Sequence, residues 1–266
     1  MDKEKLKRSG QVLAPSLFTM GNMACGFYCL LASSLGDFTA AATAILAGIA
    51  FDMLDGRVAR MVHGESTFGV EFDSLSDFLS FGVAPGYMIY EFTLKDFSVP
   101  GVVAPIPGGI LAFVYALCGG LRLARFNAVA QSGKSSKTHF QGLPIPAGGG
   151  FIASFVLVYE MIEQQTPGRT LSMIMSNTPI LFLIGPFFVA LLAFLMVSTI
   201  PYAAFKQSTG DWRLVAVALA GMALIYFYPQ NAIFLIFFLY VLSGLMGLFG
   251  IGSKSSPPEQ HPDAHH

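Results

Sequence analysis

The sequence predicts an all-α fold, a polytopic membrane bundle of eight transmembrane helices. Of its 266 residues, 54% are hydrophobic and only 12% are charged, whereas a soluble domain carries about 25% charged residues. The mean hydropathy is +0.62, and the 25 phenylalanines add to the apolar character. The net charge of -1 indicates no partner class, and no nucleic-acid partner is expected.

Eight stretches meet the requirement of roughly 20 mostly apolar residues for a membrane helix. They lie at about 15–35, 38–61, 75–94, 101–126, 145–163, 177–200, 212–228 and 230–250. The first follows a basic segment, is too long for a signal-peptide core and lacks an A-x-A-like cleavage site, so we expect it to be retained. The last two are separated only by Tyr228-Pro229-Gln230, which predicts a tight helical hairpin.

The distribution of Lys and Arg predicts the orientation, because basic residues concentrate in cytoplasmic connections. With eight spans, one side holds 13 of the 15 basic residues, and the other keeps only Lys95 and Arg169. Both termini and the loop after the second span are therefore expected in the cytoplasm. Residues 1–14 form a cytoplasmic N-terminal segment in this scheme. The polar tail at 251–266 contains three prolines and is predicted to be disordered.

Four aspartates fall within 26 positions in the stretch AFDMLDGRVARMVHGESTFGVEFDSLSDFLSF. Asp52 and Asp55 are three apart, and Asp73 and Asp77 are four apart, so each pair shares a helix face. The short loop between the pairs contains Gly64 and Gly69. This loop can fold the two pairs toward each other, and we expect one acidic site.

The charge of these aspartates is costly at membrane depth. One aspartate in the middle of a membrane helix costs roughly 2.5–3.5 kcal/mol, and four would cost on the order of 10 kcal/mol before their repulsion is counted. A bound cation is the natural remedy. Carboxylates are hard ligands, which suit Mg²⁺, Mn²⁺ or Ca²⁺ better than zinc. Two ions can share such a set when the substrate carries phosphates.

Two other interpretations of the aspartates remain open. The carboxylates can be ordinary helix caps or loop residues, and Asp73 or Ser74 is a suitable cap for the third span. Intramembrane acids also line cation paths in transporters. A transporter would more naturally show a helix interrupted at mid-membrane, whereas these acids cluster with a glycine-containing loop and Arg60.

The full spacing resembles the motif of the CDP-alcohol phosphatidyltransferases. It runs Asp52-x2-Asp55-Gly56-x2-Ala59-Arg60-x8-Gly69-x3-Asp73-x3-Asp77, which is far more specific than a lone glycine-rich loop. The resemblance implies a membrane enzyme with a six-helix core at 15–200, followed here by a helical hairpin at 201–250. It also implies a homodimer, and displacement of CMP from a CDP-linked lipid by the hydroxyl of a second substrate.

The resemblance also implies roles for individual residues. Asp52, Asp55 and Asp73 would bind divalent metal, and Asp77 would lie near or on a second ion and act as the general base. Gly56 and Ala59 would let the nucleotide of the lipid donor approach the helix backbone. The remaining donor-site candidates are Arg60 and Gly69, together with Thr19 and Asn22 in the first span. The last two can instead hydrogen-bond to a neighbouring helix.

Four longer segments, one of which includes the end of the motif, resemble bacterial and archaeal phosphatidylserine synthases. They are PSLFTMGNMACG at 15–26, GVEFDSLSDFLSFGVAPG at 69–86, GGLRLARFNA at 119–128 and FQGLPIPAGGG at 140–150. The resemblance implies a bacterial or archaeal cell-membrane enzyme with CDP-diacylglycerol and L-serine as substrates.

The carboxylate of serine would need a cation. Arg122 or Arg125 is the expected partner, since a guanidinium suits bidentate carboxylate binding, and Asn127 can add a hydrogen bond. Both arginines can instead serve the positive-inside rule and touch lipid headgroups. The acceptor can also be glycerol phosphate, inositol phosphate or choline, because sibling enzymes share the aspartate motif.

Overall fold

Helices dominate the computed structural model, which describes residues 3–62, 66–97, 102, 105–131, 139–163, 178–203 and 229–248. The α-helices in chain order are α1 (Lys3–Ser34), α2 (Phe38–Val62), α3 (Thr67–Asp77), α4 (Ala84–Phe92), α5 (Ile106–Gln131), α6 (Ile145–Glu163), α7 (Thr178–Val197) and α8 (Pro229–Leu248). A π-helical segment, Phe78–Val83, joins α3 to α4, and a 3₁₀ turn spans Leu94–Asp96. Two strands, β1 (His139–Gln141) and β2 (Pro201–Ala203), complete the described elements.

The helices form a membrane bundle. Within the part of the chain that the structure describes, three stretches are long and apolar enough to cross a bilayer: Phe38–Met61, Ile106–Ala130 and Ile145–Ile162. Shorter apolar stretches occupy Gly185–Val197 and Gln230–Leu245. The predicted span at 212–228 and the predicted tail at 251–266 lie outside the described residues.

The third predicted span begins earlier than the sequence indicated and is not a uniform α-helix. Its helix starts at Thr67, and Ser66 is the N-cap, since its side chain accepts a hydrogen bond from the backbone N–H of Gly69 at 3.0 Å. The suggestion that Asp73 or Ser74 caps this span was therefore wrong, because both lie inside α3. The π-helical segment follows directly after Asp77, and such segments are rare and often lie at functional sites.

A two-stranded ribbon was not predicted in this helical chain. β1 pairs antiparallel with β2, with Phe140 opposite Tyr202. The ribbon is followed by Gly142, whose φ of +80° favours glycine and whose N–H donates to the carbonyl of Ile200 at 2.9 Å. This connection fixes the start of α6 against the end of α7.

The C-terminal helix α8 packs against α6. The rings of Phe151 and Phe234 lie 5.6 Å apart. A Cβ atom at Gly150 would overlap the ring of Phe237, so this glycine is what lets α8 approach. Val241, one turn further along, is 5% exposed. These contacts hold the middle of α8 against the bundle.

Helix α1 packs closely against the third span at Gly26. A Cβ atom on this glycine would lie 2.7 Å from the Cα atom of Ser80, and the hydroxyl of Ser80 donates to the carbonyl of Asn22 at 2.8 Å. Since the obstructing atom belongs to the backbone, the two helices would have to move apart to admit a methyl group.

We therefore expect Gly26→Ala to destabilise the protein by about 1–3 kcal/mol, measured as a lower thermal unfolding temperature in detergent. Gly109→Ala is the matched control, because its Cβ atom would first meet Tyr90 at 3.8 Å, an ordinary contact distance. Equal unfolding temperatures for the two variants would contradict this account of the helix approach.

Candidate active site

Three carboxylates from two helices converge on one point. Asp52 and Asp55 lie in the second half of α2, and Asp73 lies in α3. One oxygen from each of the three lies within 4.8 Å of the others. The i, i+3 spacing on α2 places its two acids on one face, toward α3. The predicted convergence of the two aspartate pairs is thus present in the fold.

Asp77 is the last residue of α3, one turn after Asp73, and its hydrogen-bond partner comes from α1. It is 8% exposed, and its Oδ1 atom accepts a hydrogen bond from the side-chain amide of Asn22 at 3.0 Å. It still experiences the negative charges of Asp52, Asp73 and Asp55. Asp77 therefore belongs to the same electrostatic cluster, while a hydrogen bond from α1 orients its carboxylate.

Helix α1 supplies hydrogen bonds to both halves of the cluster. The hydroxyl of Thr19 donates to Asp55 Oδ2 at 3.1 Å, and Thr19 and Asn22 are three residues apart on one helix face. Both residues were expected either to reach the nucleotide or to bind a neighbouring helix. In the structure they hydrogen-bond to acids of α2 and α3.

Sequence analysis missed two serines that hold α1 in place. Ser76 donates through its hydroxyl to the carbonyl of Thr19 at 3.0 Å, as Ser80 does to the carbonyl of Asn22. Both serines are fully buried. Their i, i+4 spacing in a hydrophobic span was the available signal, because small polar residues on one face of a membrane helix commonly bind another helix.

The donor set fits a divalent cation. Asp52, Asp55 and Asp73 offer hard carboxylate oxygens, which suit Mg²⁺, Mn²⁺ or Ca²⁺. The Oδ1 atom of Asp73 is buried and has no hydrogen-bond partner, although a buried carboxylate oxygen normally has one. A cation bound among the three carboxylates would satisfy this oxygen and offset their repulsion.

The predicted donor-site residues lie along the same stretch of α2 and at the start of α3. Gly56 and Ala59 are half-buried, and Arg60 is exposed. A Cβ atom at Gly56 would meet nothing within 4 Å, so there is open space beside this turn of α2. Gly69 lies in the first turn of α3, where its N–H donates to the Ser66 side chain.

Arg122, in the second half of α5, has the features of a ligand-binding group. It is 9% exposed, and its buried Nε atom has no hydrogen-bond partner. Its guanidinium carbon lies 5.9 Å from the ring centroid of Phe126, and its charge interacts with that of Asp77. A buried cation with an unpaired donor next to the acidic cluster is suited to an anionic ligand.

Arg125 and Asn127 have structural partners. The guanidinium of Arg125 donates to the carbonyls of Val197 at 2.9 Å and Ser198 at 3.2 Å, which have no intrahelical partner at the end of α7. Asn127 donates to the Ser74 hydroxyl at 2.9 Å and so ties α5 to α3. These two residues brace the helix ends around the cluster.

Comparison with known proteins gives the same family as the motif. The profile of the CDP-alcohol phosphatidyltransferases matches residues 12–184, which include the whole aspartate cluster. The chain belongs to the CDP-alcohol phosphatidyltransferase family. Members of this family generally depend on a divalent metal, in agreement with the acidic donor set.

Several family members are similar over most of the chain. A CDP-diacylglycerol–serine O-phosphatidyltransferase of Helicobacter pylori is 32% identical, over 88% of this chain and 90% of its own. A protein of the same name from Bacillus subtilis is 30% identical, over 74% and 93%. An archaetidylserine synthase of Methanothermobacter thermautotrophicus is 39% identical, over 55% and 58%.

For this family member we expect Thr19→Val to weaken metal binding by about tenfold or more, because losing a hydrogen bond that orients a ligand typically has an effect of this size. Valine keeps the shape of threonine but cannot donate to Asp55. Binding of Mn²⁺, followed by electron paramagnetic resonance of the purified protein, measures the change independently of turnover.

The control for this variant is Thr43→Val, also on a membrane helix. Thr43 is exposed, and its hydroxyl donates to the carbonyl of Thr39 at 2.7 Å, far along α2 from the acids. It should leave Mn²⁺ affinity unchanged. If Thr19→Val binds Mn²⁺ as tightly as the control, the hydrogen bond does not support the metal site.

Proposed function

We propose that this chain transfers the phosphatidyl group from CDP-diacylglycerol to the hydroxyl of L-serine and releases CMP. The observation that carries the proposal is the convergence of Asp52, Asp55 and Asp73 within 4.8 Å, beside a deeply buried fourth acid. The choice of serine is supported by relatives named for serine that match most of the chain. Buried Arg122 supplies a cation that suits the carboxylate of an amino acid.

The reaction requires one bond to form and one to break. The serine hydroxyl oxygen attacks the phosphorus that carries diacylglycerol, and the bond from that phosphorus to the CMP oxygen breaks. The proton of the hydroxyl passes to Asp77. Since the Asn22 amide holds Oδ1 of Asp77, Oδ2 is the oxygen assigned to the proton. Catalysis of this kind depends on positioning and on neutralising charge.

Asp52, Asp55 and Asp73 would hold the divalent metal, with Asp77 near or on a second ion. The ions would be Mg²⁺ or Mn²⁺, and the same carboxylate oxygens also suit Ca²⁺. Bound metal would supply charge neutralisation for the diphosphate and for the departing CMP. The side chains of α1 contribute by fixing the carboxylates: Thr19 orients Asp55, and Asn22 orients Asp77. We therefore assign both residues a supporting role for the donor site.

The nucleotide of the lipid donor is proposed to lie along α2. The space beside Gly56 would admit the nucleotide close to the helix backbone, and the small side chain of Ala59 leaves room on the same face. Exposed Arg60 would interact with the phosphates. Gly69 would help by keeping the first turn of α3 compact.

The serine carboxylate is assigned to Arg122 in preference to Arg125. Arg122 has a buried, unpaired Nε atom, whereas Arg125 donates to two carbonyls at the end of α7. Asn127 would act indirectly, through Ser74 and the packing of α5 on α3. A site bounded by apolar helices also limits hydrolysis of the donor by water.

The proposed topology has eight membrane spans, with a six-helix core at 15–200 and a hairpin at 201–250. Both termini, including the segments 1–14 and 251–266, and the active site would face the cytoplasm of a bacterial or archaeal cell. The asymmetry of Lys and Arg supports this orientation. The protein is proposed to act as a homodimer within membrane lipid.

The choice of acceptor is tested with purified protein, CDP-diacylglycerol, Mg²⁺ or Mn²⁺ and a panel of acceptors. CMP release should depend on L-serine and should be slow with glycerol 3-phosphate, inositol phosphate or choline. The reason is that Arg122 supplies a single buried positive charge, whereas binding a phosphorylated acceptor would require more positive charge. CMP release with glycerol 3-phosphate but not with serine would contradict the proposal.

The role of Asp77 is tested by Asp77→Asn, which keeps the size and the hydrogen bonding of the side chain. We expect kcat to fall by about 100-fold or more, since a general base contributes about 10²–10⁴. The control is Asp96→Asn, at an exposed aspartate in the 3₁₀ turn at the other end of the same span. Near-normal turnover by a folded Asp77→Asn protein would remove Asp77 as the base.

A further inference from the structure

The π-helical segment Phe78–Val83 begins directly after the proposed base, Asp77. The backbone N–H of Ala84 donates to the carbonyl of Leu79, five residues earlier, whereas an α-helix pairs residues that are four apart. Such wider turns are rare in proteins and are often found at functional sites. The placement of Asp77 therefore depends on the contacts that keep this turn in its register.

The proline that follows the segment removes one hydrogen-bond donor from it. Pro85 has no backbone N–H, so it cannot form the bond to the carbonyl of Phe81 that an α-helix would have at this position. The hydroxyl of Tyr115, on α5, donates to that carbonyl at 3.1 Å. Tyr115 is fully buried, where an unpaired hydroxyl is costly, so the bond satisfies a need of both partners.

We propose that Tyr115 is a positioning residue for catalysis. Its bond to the Phe81 carbonyl holds the π-helical segment in the register that presents Asp77 to the acidic cluster. This inference rests on the proposed function. It assigns a role to a buried phenol that the mechanism above leaves unused, and the role is exerted through the backbone that follows the base.

The packing around Tyr115 fixes its hydroxyl. A Cβ atom at Gly86 would lie 3.2 Å from the carbonyl oxygen of Ala112, and one at Gly148 would lie 3.1 Å from the Tyr115 hydroxyl. Glycines of α4 and α6 thus let both helices close around this side chain. A phenol enclosed in this way keeps one orientation, so its bond can hold the Phe81 carbonyl in place.

The register of the segment matters because three successive contacts with α1 depend on it. Ser76 and Ser80 donate to carbonyls of α1, and the thiol of Cys29 donates to the carbonyl of Ala84 at 3.8 Å. Positions spaced by four advance about 40° around an α-helix, so two such steps, from Ser76 to Ala84, would turn the contact face by about 80°. The wider π-helical turn offsets this rotation and keeps one face of the segment against α1.

Asp77 is the acid that a loss of this register would displace most. It is the last residue of α3 and adjoins the segment, and its hydrogen bond from Asn22 requires α1 at close range. Asp73 lies one turn earlier, where Asn127 ties α3 to α5 through Ser74. Loss of the phenol should therefore affect the proton-accepting acid more than the proposed metal ligands.

The test is Tyr115→Phe, which removes only the hydroxyl. We expect kcat to fall about tenfold or more, because a small misplacement of a reacting group lowers the rate steeply. The KM values for serine and CDP-diacylglycerol, and the affinity for Mn²⁺ followed by electron paramagnetic resonance, should change by less than about twofold. The rate is expressed per Mn²⁺-binding site, so that misfolded protein does not lower it.

Ser154→Ala is the matched control for the loss of a buried hydroxyl. Ser154, on α6, is also fully buried and donates to a backbone carbonyl, that of Phe151, at 2.9 Å. This variant should leave kcat per Mn²⁺-binding site unchanged. An equal fall in kcat for both variants would overturn the inference, because the loss of any buried hydroxyl would then have the same effect.

Pro85→Ala tests the route through the Phe81 carbonyl. Alanine restores an N–H that can donate to this carbonyl in an α-helical turn and so compete with the π-helical register. We expect a lower kcat for this variant. In the double variant with Tyr115→Phe, the combined loss should be well below the product of the two separate losses, because both changes act on one carbonyl. Losses that multiply as independent effects would contradict this route.

A failure of the proposed function would give a different result. Wild-type protein that releases no CMP with serine would overturn the function itself. Wild-type activity with serine, combined with an unchanged kcat in Tyr115→Phe, would overturn only the role of Tyr115. A Mn²⁺ affinity or a substrate KM that changes as much as kcat would also contradict the inference, because Tyr115 would then act on ligand binding rather than on the position of Asp77.

Discussion

The structure is organised around the repulsion of four carboxylates in an apolar bundle. Asp52, Asp55, Asp73 and Asp77 interact unfavourably with one another, and each loses hydration by lying among membrane helices. Two compensations are built into the fold. Hydrogen bonds from α1 hold Asp55 and Asp77, and the open set of oxygens, with the buried unpaired atom of Asp73, suits a cation. The fold therefore requires α1 as much as it requires the acids.

That requirement explains the close contact between α1 and the third span. A side-chain amide or hydroxyl reaches a carboxylate at about 3 Å only if the helix backbones approach closely, and Gly26 permits this approach at Ser80. The buried hydroxyls of Ser76 and Ser80 then bind backbone carbonyls of α1. Polar contacts of this kind fix the rotation and register of membrane helices, since lipid offers no competing hydrogen-bond partners.

Spacing along one helix was predictable from the sequence, and pairing between helices was not. The i, i+3 and i, i+4 relations of the aspartates follow from helix geometry alone, so the acidic face of α2 and its convergence with α3 could be anticipated. The partners of Thr19 and Asn22 lie 36 and 55 residues away, and nothing local in the sequence selects them. The same holds for Arg122 and Arg125, which share a segment but differ in burial and partners because α7 ends beside only one of them.

Local irregularities at the helix ends could not be predicted from sequence patterns either. Ser66 was passed over as the cap of α3 because hydropathy placed the start of the span near residue 75, inside the helix that the structure shows. The β1–β2 ribbon involves strands of three residues, too short for an alternating pattern to be recognised. Both irregularities lie at helix ends, where capping and backbone pairing decide the geometry rather than hydrophobic periodicity.

The small size of the proposed acceptor, serine, limits where the base and the carboxylate-binding cation can lie. In serine only a few bonds separate the hydroxyl from the carboxylate, so the base and the carboxylate-binding cation must lie near each other. Arg122 meets this requirement because its charge interacts with Asp77, while Arg125 is held at the end of α7. A cation this close to the acids would collapse onto them unless other contacts held it. The ring of Phe126, whose centroid lies 5.9 Å from the guanidinium carbon, is one such contact. Helix α5 thus keeps Arg122 available to the acceptor while α1 keeps the acids available to the metal.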